Sequence, residues 1–395
     1  MEQLCFNGYY LKRMARVKEF SNEAVEVVLD DFLGKFCNYW LEEEFVLQSG
    51  ARAYERTETR KDGRSGHYTR SLITSRGQVK LRVPRGSNIK YSFTLFEKFK
   101  RRTKHFEDVV IDSILLGHSS RKASKFFSKQ FGANSISHQT AISTFKRFGD
   151  ELKRWRTRRL RDGAVVLVLD AVWLKGAADG HLRAKPVLFA YAVYEDGREE
   201  VLDFEMAYGE SEAAWSRFCH KIYNRGLCNV KLVVKDDCPA IESMVATYWP
   251  EAISQDCVFH LMQNVVKRLR GSQDKKRIIA DIREVYAARN EKEFYVRLNA
   301  FKARHKNSDP TGAVKYYLSR ASRSVQYFKL EEKYWSIART TNRLERFFEE
   351  LNRRIKSFRR FPNSGSCERW LYALTMEIKP DSLGVTNALE SQQSS

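Results

Sequence analysis

Two aspartates each stand at the end of a strand-like segment. Ala164-Val165-Val166-Leu167-Val168-Leu169 leads straight into Asp170, and residues 231–235 end at Asp236. A later helix-like segment, residues 342–359, offers Glu345, Glu349 and Glu350. Converging carboxylates are ligands for hard cations such as Mg²⁺. Two such ions, roughly 3.5–4 Å apart, clamp the attacking and leaving oxygens when a phosphodiester is displaced. Phosphoryl transfer is the chemistry this set could do. Each residue also has a plainer reading. An Asp after an apolar run can form a turn or cap a helix, and Glu on a helix can simply face solvent. Residue type does not choose among the three glutamates, although Glu345 and Glu349, four apart, share a helix face. Asp237 follows Asp236, and neighbours on an extended chain point opposite ways, so only one of the two should face the ions.

The elements that would position these groups can be read around them. The run into Asp170 is continuous, as in a strand buried on both faces. Residues 185–194 and 199–207 predict two further strands, joined by the hairpin turn Glu195-Asp196-Gly197-Arg198. Residues 210–224 and 239–247 predict helices, and 231–235 and 253–258 the fourth and fifth strands. Three strands followed by helix-separated strands is the order of a ribonuclease-H-like core, an α/β sheet with helices packed on it. Adjacent strand ends in such a sheet open into a shared crevice. Residues 261–335 read as polar and helical. In 342–359, Leu344, Phe347, Phe348, Leu351, Ile355 and Phe358 form one apolar stripe. Cys257 and His260 make a Cys-x-x-His pair just after the fifth strand. Structural zinc needs four ligands, which Cys238 or His220 could help to supply. The plainer reading is a buried Cys and a hydrogen-bonded His at a strand–helix junction.

The 395-residue chain is long enough for two or three domains, and 43% apolar residues allow a sizeable core. Its formal net charge is +21. Residues 51–150 hold about 22 Lys and Arg against about 8 Asp and Glu, most of that surplus. Such an excess favours a polyanion, because each phosphate neutralised releases counterions. Seven scattered Cys with no Cys-x-x-Cys pair predict reduced thiols. With no leader pattern and no apolar run of roughly 18–20 residues, a cytoplasmic protein without membrane contact is expected, working at the nucleoid. Residues 17–49 read as a helix, 51–70 as a polar basic stretch with turn signals at Gly63 and Gly66, and 78–83 as a short strand stopped by Pro84. Residues 105–150 predict a small helical module. Its turn at Gly132, and a following helix capped by Ser135 or Ser137, suit a helix-turn-helix. Arg121, Lys122 and Lys125 would then meet phosphates, and Ser137, His138 and Gln139 base edges. A helical hairpin with solvated charges explains these residues equally.

Several short blocks then occur in order: Tyr54-Glu55-Arg56, Gly63-Arg64-Ser65-Gly66-His67-Tyr68, Val79 to Arg85, Leu169-Asp170-Ala171-Val172-Trp173-Leu174-Lys175, Asp196 to Leu202, Gly209-Glu210-Ser211-Glu212 with Trp215, Val233-Val234-Lys235-Asp236, Cys257-Val258-Phe259-His260, Thr340 to Glu345, and Arg360-Phe361-Pro362. In these the chain resembles the Mutator-type insertion-sequence transposases of bacteria and archaea, from about residue 50 to about residue 365. The resemblance implies a ribonuclease-H-like core with an all-helical insertion, preceded by a basic, mainly helical DNA-binding region. It implies a catalytic and metal-binding triad of Asp170, Asp236 and Glu345. Cys257, His260 and Trp215 match family signatures without a settled role. Mg²⁺ would be the cofactor, with Mn²⁺ able to substitute. The partners would be double-stranded transposon ends and target DNA, met by a homo-oligomer, with no small-molecule substrate. The implied division is an N-terminal helical segment (1–50), the DNA-binding region (51–160), the core (161–260 and 341–365), the insertion (261–340) and a C-terminal segment (366–395). Family members usually carry Gly after the second Asp, where this chain has Asp237. A transposase-derived DNA-binding protein without catalysis would be expected to have lost a triad residue, and none is lost. A nuclease or resolvase on the same core would lack terminal inverted repeats beside its gene.

Overall fold

The computed structural model describes residues 22–96, 100–131, 135–174, 185–306, 309, 311–339, 342–355, 361 and 363–378. Gly132, Lys175, Phe358, Pro362 and the tail after residue 378 lie outside them. The chain divides into two units, Met1–Thr144 and Phe145–Ser395.

In the first unit, α1 (Asn22–Ser49) packs on a hairpin of β1 (Arg64–Thr74) and β2 (Gly77–Gly86). Side chains alternate along β2: Val79, Leu81 and Val83 are buried, Lys80 and Arg82 exposed. The buried three meet Cys37, Leu41 and Phe45 of the helix. Part of the stretch expected to be a polar connection, residues 51–70, instead carries the start of β1. That strand buries only Leu72 and Ile73, so its sequence shows little alternation. Gly66, at φ +95°, sits where the register shifts between Arg64 and His67. Nor does Pro84 end β2. A two-stranded ribbon leaves each strand an open edge, where Pro is tolerated.

Three helices follow: α2 (Lys104–Leu115), α3 (Ser120–Phe131) and α4 (His138–Ser143). Phe106, Phe127 and Phe131 join α2 to α3, with ring centroids 5.5–5.8 Å apart. Ser137 is the cap of α4, its hydroxyl accepting from the Thr140 N–H at 3.1 Å; Ser135 is buried.

The second unit is mixed α/β. After α5 (Phe148–Thr157) come β3 (Ala164–Leu174), β4 (Lys185–Tyr194), β5 (Glu199–Met206), α6 (Glu212–Asn224), β6 (Val230–Lys235), α7 (Pro239–Tyr248) and β7 (Ile253–Asp256). The sheet order is β5-β4-β3-β6-β7. β3, β4 and β5 pair antiparallel, while β6 and β7 run parallel to β3. On one face Leu167, Leu169, Leu188 and Val233 pack against Trp215 and Phe218 of α6 and Ile241 and Val245 of α7. Trp215 is thus a core residue, fully buried under the sheet. Beyond β7 lie α8 (Val258–Arg268), α9 (Lys275–Tyr286), α10 (Glu291–Arg304) and α11 (Ala313–Leu318), then short 3₁₀ turns, α12 (Asn342–Ile355) and α13 (Ser364–Glu377). The apolar stripe read in 342–359 is buried at Leu344, Phe347, Phe348, Leu351 and Ile355. Phe347 and Phe348 meet Phe189 of β4 at 5.6 and 5.0 Å, so α12 covers the face opposite α6 and α7. No helix among the described residues is long and apolar enough to cross a membrane.

Because Phe348 joins α12 to the sheet, Phe348→Ala is expected to lower stability by about 3–5 kcal/mol. The urea unfolding midpoint checks this, and an unmoved midpoint would mean that α12 is held by other contacts.

Candidate metal centre

Pairing of β3 with β6 runs from Ala164↔Val230 to Leu169↔Lys235. The next residues on the two strands are Asp170 and Asp236. Since Leu169 points to the α6 and α7 face, Asp170 points to the face that α12 covers. Val233 shares the Leu169 face, so alternation turns Asp236 to the Asp170 side.

Asp170 is 5% exposed. Its Oδ1 accepts from the Ala171 N–H at 2.7 Å, while the buried Oδ2 has no hydrogen-bond partner. Burial pushes its pKa up to about 7. The His260 charge and the Ala171 N–H oppose this, and Glu345 and Asp236 add to it. A buried carboxylate oxygen without a donor is costly unless a cation reaches it. That orphan atom, among hard oxygen donors, fits a divalent metal.

Glu345 comes from the first turn of α12, beside the buried stripe. Its Oε1 lies 3.2 Å from His260 Nε2. His260 is carried in the first turn of α8, whose N-cap residue is the buried Cys257. Burial alone would lower the His260 pKa. Hydrogen-bonding interactions with Cys257 and Glu345 and the charge of Asp170 outweigh it and raise the group to about 11. Nδ1 of His260 makes no well-aligned bond. Asp170, His260 and Glu345 each bring a ligand atom to within 4.8 Å of the other two. Asp236 stands outside this tightest group, close enough for its charge to act on Asp170.

The rest of the helix explains why Glu345 is the residue that joins them. Glu350 is taken by Arg353 and Arg354, at 2.5 and 2.6 Å, and those hydrogen bonds pull it down to about 2 despite partial burial. Glu349 is exposed. The zinc alternative loses its extra ligands. His220 bonds Asn224 at 2.8 Å, Cys238 precedes α7 as its N-cap residue, and neither belongs to the group around His260.

A Mutator-family transposase model matches residues 9–382. The chain belongs to that family. It is 32% identical to the transposase for insertion sequence element ISRM5 of Rhizobium meliloti (strain 1021), over 85% of this chain and 84% of the relative. It is 26% identical to the transposase for insertion sequence element IS256 in transposon Tn4001 of Staphylococcus aureus, over 86% and 87%. The Drosophila P element transposase strand transfer complex is a distant structural neighbour, with 12% identity and a TM-score of 0.39 over 72% of this chain and 94% of that one.

Three further features of this transposase were not legible as site residues. The Trp173 indole, half exposed at the end of β3, donates to Glu210 Oε1 at 2.5 Å. Burial raises the Glu210 carboxyl, the Trp173 bond lowers it, and Asp236 raises it again, so Glu210 sits in the same field as a fourth carboxylate. Asp237 turns away to accept from Arg320 and, at 2.6 Å, from Arg323 Nη2. It anchors the segment after α11 to the end of β6. Lys235, buried on the α7 side, pairs with Asp256 at 2.6 Å and Glu242 at 2.5 Å. Apart from Lys235 and Glu242, which are seven residues apart, these pairs join residues distant in sequence, beyond the reach of a spacing rule.

The residues expected to touch DNA lie in the first unit. Arg121, Lys122 and Lys125 are exposed on α3, and His138 and Gln139 are exposed at the start of α4. The Ser137 hydroxyl is engaged in capping.

Asp237→Gly is expected to cost about 2 kcal/mol of stability, the order of a lost charge-assisted hydrogen bond. Mn²⁺ affinity, titrated by calorimetry, is expected to stay at the wild-type value. A loss matching that of Asp170→Ala would put Asp237 at the metal instead.

Proposed function

We propose that this transposase binds the terminal inverted repeats of an insertion sequence, cuts DNA at each end and joins the freed ends to target DNA. The observation that supports the reading is the approach of Asp170 and Glu345 to each other beside His260, with Asp170 and Asp236 next after the paired ends of two adjacent parallel strands. The strand order, with α6 and α7 on the opposite face, supports a ribonuclease-H-like core spanning 161–260 and 341–365. Residues 261–340 would be its helical insertion, and the basic stretch 51–160 would hold the repeats.

Asp170, Asp236 and Glu345 would hold Mg²⁺, or Mn²⁺ in its place. Bound there, divalent ions supply charge neutralisation at the scissile phosphate and an activated water. His260 orients Glu345 through its hydrogen bond, the usual task of a partner behind a ligand. In the first reaction the oxygen of water bonds to phosphorus and the bond to O3′ breaks, leaving a 3′-OH. In the second, that 3′-OH bonds to a target phosphorus and displaces the target's own O3′. Two ends must be paired for this, so the working form would be a dimer or larger, acting at the nucleoid.

A labelled duplex carrying the element's own terminal repeat tests the reading. With Mg²⁺ the wild type is expected to nick at the repeat boundary, and with EDTA it is expected not to. Asp170→Ala, Asp236→Ala and Glu345→Ala are each expected to reduce the rate by at least about a thousandfold, as for removal of a principal catalytic group. Specific binding with no nicking by the wild type would contradict the catalytic assignment.

A further inference from the structure

We propose that the first unit carries a pocket for one unpaired nucleotide of a DNA strand, formed by the hairpin and the loop that follows it. The proposal rests on the reading of the chain as a protein that acts on DNA. The cavity has a volume of about 510 Å³, and its walls include Tyr68, Arg70, Arg85, Lys90, Tyr91 and Phe96. Three of these are cationic and three aromatic. The Arg85 guanidinium lies over the Tyr68 ring at 4.7 Å, and that of Arg70 over Phe96 at 3.9 Å. Arg70 also donates to the Lys100 carbonyl, so Arg85 is the one whose N–H edges face a phosphate, and a stacked guanidinium plane extends the surface on which a base can lie. Arg85 and Lys90 are exposed and have no carboxylate partner among the described residues.

The nearby carboxylate, Asp62, is fully engaged in shaping the pocket. It accepts from the N–H groups of Gly63 at 2.8 Å, Asn88 at 3.1 Å and Ile89 at 3.0 Å, and from the Tyr91 hydroxyl at 3.1 Å. These bonds fix the loop that presents Lys90 and Tyr91. At Gly86 a Cβ would stand 2.2 Å from both Asp62 Oδ2 and Tyr91 Cε2, so only glycine allows the ring to close in. The pocket is therefore built before any ligand arrives.

Its chemistry selects an anion joined to a flat ring, and its volume suits a single small ligand. A duplex backbone is met by an open basic surface. A recess with aromatic walls is reached only by a base that has left the stack. None of the residues assigned to DNA on α3 and α4 lines it.

The test uses the full-length protein and two probes of one sequence, a fluorescein-labelled single strand containing one 2-aminopurine and its blunt duplex. Anisotropy gives affinity and 2-aminopurine emission reports stacking. Tyr68→Ala and Arg85→Gln are each expected to weaken single-strand binding about tenfold, the scale of one lost stacking or phosphate contact. Duplex binding is expected to change by less than about twofold, and quenching seen with wild type should vanish in Tyr68→Ala. Unchanged single-strand affinity, or a parallel fall for both probes, would overturn the pocket. So would failure of the wild type to bind the single strand. Should Tyr68→Ala melt early, Arg85→Gln, an exposed site, decides alone. Wild-type nicking of the terminal repeat is scored in parallel. If nicking is absent while the variants behave as expected, the transposition reading fails and the pocket stands. Nicking with unaffected variants reverses that outcome.

Discussion

The rest of the second unit depends on one parallel pairing, that of β3 with β6. Slipping it by one residue would send Asp236 to the face that α6 and α7 cover and bring Lys235 into its place. Lys235 itself resists such a slip. Its ammonium is buried on the face that α7 covers, where it pairs with Asp256 on β7 and Glu242 on α7. Moving it would bury an unpaired charge, an error costing several kcal/mol. The charged cluster on one face of β6 thus holds the acidic residue on the other in position. Aromatic packing of Phe347 and Phe348 against Phe189 does the same for Glu345.

The electrostatics of the centre run against stability. Asp170 is buried with one oxygen unsatisfied, and two further carboxylates raise its pKa. His260 offsets part of that repulsion. Functional sites are where a sequence departs from the rules that its core obeys. The departure here is confined to one end of one sheet face, while Leu167, Leu169 and Val233 beneath it pack in the ordinary way.

Much of this core was legible in the sequence, for physical reasons that differ from residue to residue. β3 announces itself because a strand buried on both faces must be apolar throughout; Asp170 stands out as the first charge after that run, and Asp236 as an acid at the end of a shorter predicted strand. Glu345 was open on pattern alone, since Glu349 shares its face; only the resemblance singled it out. What separates the glutamates is tertiary: Arg353 and Arg354 hold Glu350, and His260 faces Glu345. β1 was missed because it buries two residues of its length. Asp237, an oddity in the sequence, becomes intelligible only with Arg320 and Arg323 folded beside it.

The order of these residues along the chain sets when a centre can exist at all. Asp170 and Asp236 are synthesised first, on strands that can pair once α6 has closed between them. Glu345 follows only after α8 to α11, and α12 must then dock on the sheet face opposite α6 and α7. A chain still being made has two of the carboxylates and lacks the third. The acidic cluster is therefore the last part to be completed, after the segment fastened by Asp237 has been made.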